Sequence, residues 1–159
     1  MTRRNRPAAA DVVDLLRARG ATLATAESLT GGRLAALVTE VPGASAVYLG
    51  GVVSYATSVK LDVLGVPAAI VEQYGVVSGE CARAMAHGAL RLTGASYAVS
   101  TTGVAGPDLQ EGKPAGTVYV ALVGADGSEV ILGMELTGDR TAIQERTCHE
   151  ALAAIAGNV

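Results

Sequence analysis

Ala26-Glu27-Ser28-Leu29-Thr30-Gly31-Gly32 decides how this chain is read. The stretch follows a short apolar run, Ala21-Thr22-Leu23-Ala24-Thr25, and precedes an amphipathic run from Arg33 to Glu40. That order implies strand, tight turn, helix, with a hydroxyl held at the turn. In open α/β sheets ligands bind outside the carboxyl ends of the strands, and Ser28 stands at such an end. Gly31 and Gly32 lack a Cβ, so a ligand can approach the backbone and amide N–H groups can face it. An ordinary helix cap uses the same residue types. Taken alone, the segment reads as a cap slightly more readily than as a site.

On both sides the alternation continues. Residues 8–19 set Val12, Val13, Leu15 and Leu16 among charges, a helix ended by Gly20. A first strand is expected over 21–26 and its helix over 30–40, broken by Val41-Pro42-Gly43-Ala44. Ala46 to Tyr55 reads as a strand whose Gly50-Gly51 marks a bulge or a close backbone approach. Short helices are expected over 57–64 and 68–74, and a longer one over 78–92, capped by Ser78. Tyr97 to Thr101 is a buried strand, and Gly103 to Gly116 a loop rich in Gly and Pro. Ala125-Asp126-Gly127 turns a hairpin between strands at 117–123 and 129–136, and a last helix runs from Asp139 to Ile155. The expected fold is a three-layer α/β/α sandwich around a mixed, mostly parallel sheet of about five strands. Residues 8–159 form one domain on this reading, behind a disordered basic tip at 1–7.

Composition narrows the function. Half of the 159 residues are apolar, enough for a real core. A charged fraction of 17% is low for a monomer's surface and points to a homo-oligomer. A net charge of −3, with no Trp or Phe, offers neither a field for phosphate backbones nor a stacking platform, so no nucleic acid is expected as partner. Met1 to Pro7 is basic, but Asp11, Asp14 and Arg17 break up the next segment, so there is no signal-peptide core. No apolar run approaches membrane-spanning length, and a cytoplasmic protein is expected. Cys81 and Cys148 read as small core residues in a reducing compartment.

Several chemistries lack their residues. His87 and His149 lie on separate helices without partners at ligand spacing, so no metal or cofactor is expected. Gly106 to Lys113 misses a P-loop: five residues separate the glycines, Pro114 replaces the hydroxyl residue, and a strand comes next. No dinucleotide-binding glycine fingerprint occurs. The remaining base is a lysine, and only Lys60 and Lys113 exist. Lys60 comes after Ser54-Tyr55-Ala56-Thr57-Ser58-Val59, where the second strand passes into a short helix. With Thr57 as cap, Lys60 falls at the third helical position. A dry pocket and nearby helix amino ends lower an ammonium pKa, and a neutral lysine can take the proton of a serine hydroxyl. A solvated lysine beside a core tyrosine is the plain alternative.

The order of motifs adds a resemblance. Thr25 to Gly32, Gly50-Gly51-Val52-Val53-Ser54-Tyr55, Lys60, Leu64-Gly65-Val66, Gly75-Val76-Val77-Ser78, Thr102-Gly103-Val104-Ala105-Gly106-Pro107, Lys113 to Tyr119 and Gly138-Asp139-Arg140 occur in sequence. Together they resemble the CinA C-terminal domain family, the PncC-type nicotinamide mononucleotide amidases, from about Gly20 to Ala156. The resemblance implies hydrolysis of the carboxamide of nicotinamide mononucleotide, without a metal, in pyridine-nucleotide recycling. By position it implies Ser28 as nucleophile, Lys60 as base and Tyr55 as a supporting hydroxyl. Thr57 stands where the family often has Asn, so one polar contact differs. Some family members carry a further amino-terminal domain, for which these residues leave no room.

The substrate-binding candidates are Glu27, Thr30, Gly31, Gly32, Ser45, Thr102, Gly103, Ala105, Gly106 and Arg140. The amides of Thr30, Gly31 and Gly32 are expected to hold the oxyanion, and Arg140 and the Gly103–Gly106 loop the phosphate. A surface ion pair of Arg140 with Asp139 or Glu135, and a glycine loop serving only as a turn, are the alternatives. Glu27 is expected to bond loop amides rather than to act as an acid. Two other functions fit the same motifs: a nucleotide-sensing or protein-binding module that lost the chemistry, and an amidase for another small amide.

Overall fold

The computed structural model describes residues 7–159, so most of the expected basic tip lies outside the described residues. Strand β1 (Leu23–Glu27) is buried along its whole length, an interior strand of a five-stranded sheet. Its Ala24 and Ala26 face one helical layer, whereas Leu23 belongs to the core of the other. Small residues suit a strand covered on both faces. β2 (Tyr48–Val53) and β3 (Tyr97–Gly103) flank it in parallel, and β4 (Thr117–Gly124) and β5 (Glu129–Glu135) continue antiparallel. The order is β2-β1-β3-β4-β5. Only β4 runs against the other strands, so the sheet is mixed and mostly parallel in strand direction.

Helices α1 (Ala9–Arg19), α2 (Arg33–Thr39) and α6 (Arg140–Asn158) cover one face. Their core includes Val12, Leu16, Leu34, Val38, Ile143, Leu152 and Ile155. On the other face α5 (Gly79–Thr93) packs Cys81, Met85, Ala86 and Ala89 on Ala24, Ala26 and Ala98, flanked by α3 (Thr57–Asp62) and α4 (Ala68–Tyr74). Three layers result. Burying apolar side chains on both faces of one sheet is the main force holding them, at about 1.5–3 kcal/mol for each large side chain fully buried.

Local signals explain the joints. α1 ends at Gly20, whose φ of 60° is left-handed. The ladder between β1 and β2 shifts between Leu23 and Ala24, leaving Leu49 as an extra residue. A Cβ at Gly51 would strike Thr25 of β1, so the close approach expected at Gly50-Gly51 is present, and the bulge falls one residue earlier, at Leu49. Ser78 caps α5 by accepting from the Cys81 amide, and Asp139 caps α6 by accepting from Ala142. In the β4–β5 turn Gly127 takes φ 90°. One cap differs from expectation. Ala56 rather than Thr57 precedes α3, so Lys60 is its fourth residue, not its third.

No helix among the described residues is long and apolar enough to cross a membrane. Cys81 and Cys148 are buried and free, and burial pushes their thiols up to about 11 and about 12. Such thiols remain protonated at neutral pH and act as core residues.

Candidate active site

The carboxyl ends of β1, β2 and β3 meet at one edge of the sheet, and the turns leaving them build the site. Ser28 comes directly after β1. Its amide donates to Thr101 O of β3 at 2.9 Å, which fixes the residue against the sheet. Lys60 comes from the opposite direction, on α3, and its side chain is almost wholly buried at 1% exposure. Lys60 Nζ lies 2.9 Å from Ser28 Oγ, 2.7 Å from Ser54 O and 3.2 Å from Tyr55 O.

That set of partners can be satisfied by either protonation state of Lys60. A charged ammonium has three N–H donors, one for each oxygen. A neutral amine has two N–H donors and one lone pair. The two carbonyls accept the two donors, and the lone pair is left for the Ser28 O–H. Burial lowers the Lys60 pKa, and the more distant Cys81 and Glu111 oppose that shift less strongly. No carboxylate bonds the Nζ among the described residues, so the charged form lacks the partner that usually offsets desolvation.

A cleft of about 300 Å³ opens over Ser28. Its lining includes Leu29, Tyr55, the Gly103–Gly106 turn, Asp108, Leu109, Gln110 and Arg140. Of the substrate-binding candidates, Gly103, Ala105, Gly106 and Arg140 are therefore brought to Ser28. Gly106 has φ 87°, so the glycine turn needs its positive φ and also walls the cleft. The amides of Ala105 and Gly106 have no hydrogen-bond partner among the described residues.

Arg140 is neither free nor paired with Asp139 or Glu135. Its guanidinium donates to Gly106 O at 2.6 Å and to the Tyr55 hydroxyl at 2.8 Å, across the cleft. The Tyr55 hydroxyl thus faces Arg140, and it is the residue's carbonyl that meets Lys60 Nζ.

The other candidates lie elsewhere. Glu27 faces α2: Oε1 accepts from Thr30 Oγ1 at 2.7 Å and from the Leu34 amide at 2.8 Å, and Oε2 from the Ala35 amide at 3.1 Å. Thr30 is fully buried and also meets Thr101 Oγ1 at 2.8 Å. The Gly31 amide donates to Ser28 O and the Arg33 amide to Thr30 O. Glu27 and these turn bonds occupy the first-turn amides of α2, and Gly31 and Gly32 do not line the cleft. Glu27 bonds amides as expected, but they belong to a helix and not to a ligand loop. Thr102 is buried, with its hydroxyl donated to Val76 O at 2.7 Å. Ser45 lies beside Tyr48, before β2, at the sheet edge opposite Ser28, because a parallel β1–β2 pair puts the start of β2 beside the start of β1.

Asp108, Leu109 and Gln110 were not singled out from sequence, although they wall the cleft. Glu111 holds them there. Its carboxylate accepts from the Val76 amide at 3.0 Å and the Val77 amide at 2.8 Å, and Lys113 Nζ donates to Val77 O. A Cβ at Gly75 would strike that carboxylate. An acidic and a basic residue in a Gly/Pro loop, opposite a glycine that closes a helix, was the signal available. Among the described residues no cluster of His, Cys, Asp or Glu could hold a metal ion.

The chain matches the family model described as the CinA C-terminal domain over residues 5–159. It is 50% identical over 141 residues to a CinA-like protein of Frankia casuarinae, covering 89% of this chain and 32% of that protein. A CinA-like protein of Anaeromyxobacter dehalogenans is 47% identical over 142 residues, covering 89% and 35%. The chain thus spans about a third of the length of these curated relatives. Among solved structures, a competence-damaged protein (CinA) superfamily protein from Klebsiella pneumoniae superposes with a TM-score of 0.91 at 38% identity, covering 94% of this chain and 93% of that one. One from Escherichia coli gives 0.92 at 29% identity, covering 100% and 95%.

Proposed function

This chain belongs to the CinA C-terminal domain family, and we propose that it hydrolyses nicotinamide mononucleotide to nicotinate mononucleotide and ammonia by a Ser-Lys mechanism. The observation that carries the reading is the 2.9 Å contact of Ser28 Oγ with a buried lysine whose other two partners are carbonyls. A lysine placed only for structure has no need of a hydroxyl at the floor of a cleft.

The neutral Lys60 amine takes the Ser28 proton as Oγ bonds to the amide carbon. The resulting ammonium passes a proton to the amide nitrogen, the C–N bond breaks, and ammonia leaves. Water then gives its proton to Lys60 and its oxygen to the acyl carbon. The Ser28 ester breaks, and Lys60 returns the proton to Oγ. Free amides at Ala105 and Gly106 are the candidate donors to the oxyanion, each worth about 3 kcal/mol of barrier when well aimed. Arg140 keeps three of its five N–H donors for the phosphate while Tyr55 and Gly106 hold it in place.

Ammonia release tests the reading. Purified protein should deamidate nicotinamide mononucleotide well and free nicotinamide poorly. Turnover of neither would leave a binding module of the same fold. Equal turnover of both would make it an amidase indifferent to the ribose phosphate.

A further inference from the structure

Two charged side chains line the cleft among the described residues, Asp108 and Arg140. They form no ion pair with each other. Arg140 is braced by Tyr55 and Gly106, whereas the Asp108 carboxylate makes no hydrogen bond among the described residues. The loop that carries it is nevertheless anchored close by. Three residues on, Glu111 is held by the Val76 and Val77 amides, and Gln110 and Lys113 exchange backbone bonds of 3.1 and 2.9 Å. The cleft that opens over Ser28 therefore has an aspartate, Asp108, in one wall and the Arg140 guanidinium of the last helix in another.

We propose that Asp108 is a specificity-determining residue whose carboxylate faces the positive ring of an N-substituted nicotinamide, so that the cleft selects a zwitterionic ligand. The proposal rests on the amidase reading for its substrate class. A nicotinamide carrying a substituent on its ring nitrogen is a pyridinium cation. The reacting carboxamide sits on that ring, so the charge must lie within a few ångströms of Ser28. The phosphate lies at the other end of the molecule. One carboxylate and one guanidinium on the walls of a small cleft match that dipolar pattern, and opposite charges attract more strongly there than in open water. The same carboxylate opposes the product, because hydrolysis turns the neutral amide on the ring into a carboxylate and so favours its departure.

Two small probes isolate the effect. Binding of 1-methylnicotinamide, a cation without ribose or phosphate, is compared with binding of neutral nicotinamide to the wild type, Asp108→Asn and Asp108→Glu by ligand-observed NMR titration. The wild type should prefer the cation by about fivefold, the effect of one partly exposed opposite charge. Asp108→Asn should abolish the preference and Asp108→Glu retain it. With nicotinamide mononucleotide, Asp108→Asn should raise KM about fivefold and leave kcat within about twofold. A preference that survives in Asp108→Asn, or a wild type that prefers neither probe or binds neither, overturns the proposal. A wild type that prefers the cation but releases no ammonia refutes the amidase reading and leaves the role of Asp108 standing.

Discussion

Lys60 is the residue on which the proposed chemistry turns, and its burial has a thermodynamic signature. Its folded pKa lies below the ordinary 10.5 because burial disfavours the ammonium. Below the folded pKa the protein carries the full cost of a buried charge. Between the folded pKa and 10.5 the unfolded chain binds more protons than the folded one, so stability rises with pH, and above 10.5 the cost is gone. Urea midpoints of wild type and Lys60→Met from neutral pH to pH 10.5 should show the wild type gaining on the variant as pH rises. A constant difference would mean that Lys60 has no depressed pKa. Activity should rise over the same limb, because the proposed base is the neutral amine. Glu27 makes the contrasting case. It holds the amino end of α2, so Glu27→Ala should cost about 3 kcal/mol, read as a lower urea midpoint at unchanged slope. A variant of full stability that has lost turnover would put Glu27 in the chemistry instead. Sequence alone contained part of this. In a strand, alternate residues share a face, so Glu27 groups with Leu23 and Thr25, away from Ala24 and Ala26 and the α5 side from which Lys60 comes.

Elements set the distances between such residues. The strand-turn-helix around Ser28 and the strand-to-helix passage before Lys60 were legible because apolar periodicity and glycine punctuation mark them locally. The partnership of the two was reached by elimination and by resemblance, since 31 residues of intervening chain carry no local sign that β2 lies beside β1. The cleft wall was not legible. Asp108 to Gln110 are exposed polar and apolar residues in a loop with no periodicity, and only the Glu111 clamp on the Gly75–Val77 turn gives them a position. Glu111→Ala should therefore speed hydrogen exchange at the Val76 and Val77 amides while the β1 amides stay protected. KM should rise several-fold as the wall loosens, with a smaller change in kcat. Unchanged exchange at Val76 and Val77 would show that the loop is held by something else. Ser45 was misplaced for a related reason: neighbouring turns in sequence alternate between the two edges of an α/β sheet.

Across the whole molecule, helices cover both faces of the sheet and leave the site at one edge, where three strand ends converge. The two outer layers are joined to the sheet chiefly by apolar burial, with few charges spanning elements. One that does is Glu129 on β5, which meets Arg83 at 2.7 Å and His87 at 2.7 Å, both on α5. Arg83 and then His87 pull its carboxyl down from 4.5 to about 2. The stabilisation is present above 4.5 and is lost as pH falls toward 2. Glu129→Gln should weaken the protein at pH 6 by less than about 1 kcal/mol, because solvent screens the pair, and the difference should vanish near pH 2. A difference that persists there would assign the effect to packing rather than charge.

The central claim is that Ser28 and Lys60 act as one unit, a hydroxyl and an uncharged amine in one dry contact. Residues that act as a unit lose catalysis together rather than in sequence. The most direct measurement is kcat for ammonia release from nicotinamide mononucleotide in Ser28→Ala, Lys60→Met and the double variant. Each single variant should fall by roughly 10³-fold or more, and the double variant should be no slower than either. Near-normal turnover in either single variant, or a double variant slowed by the product of the two separate losses, would contradict it.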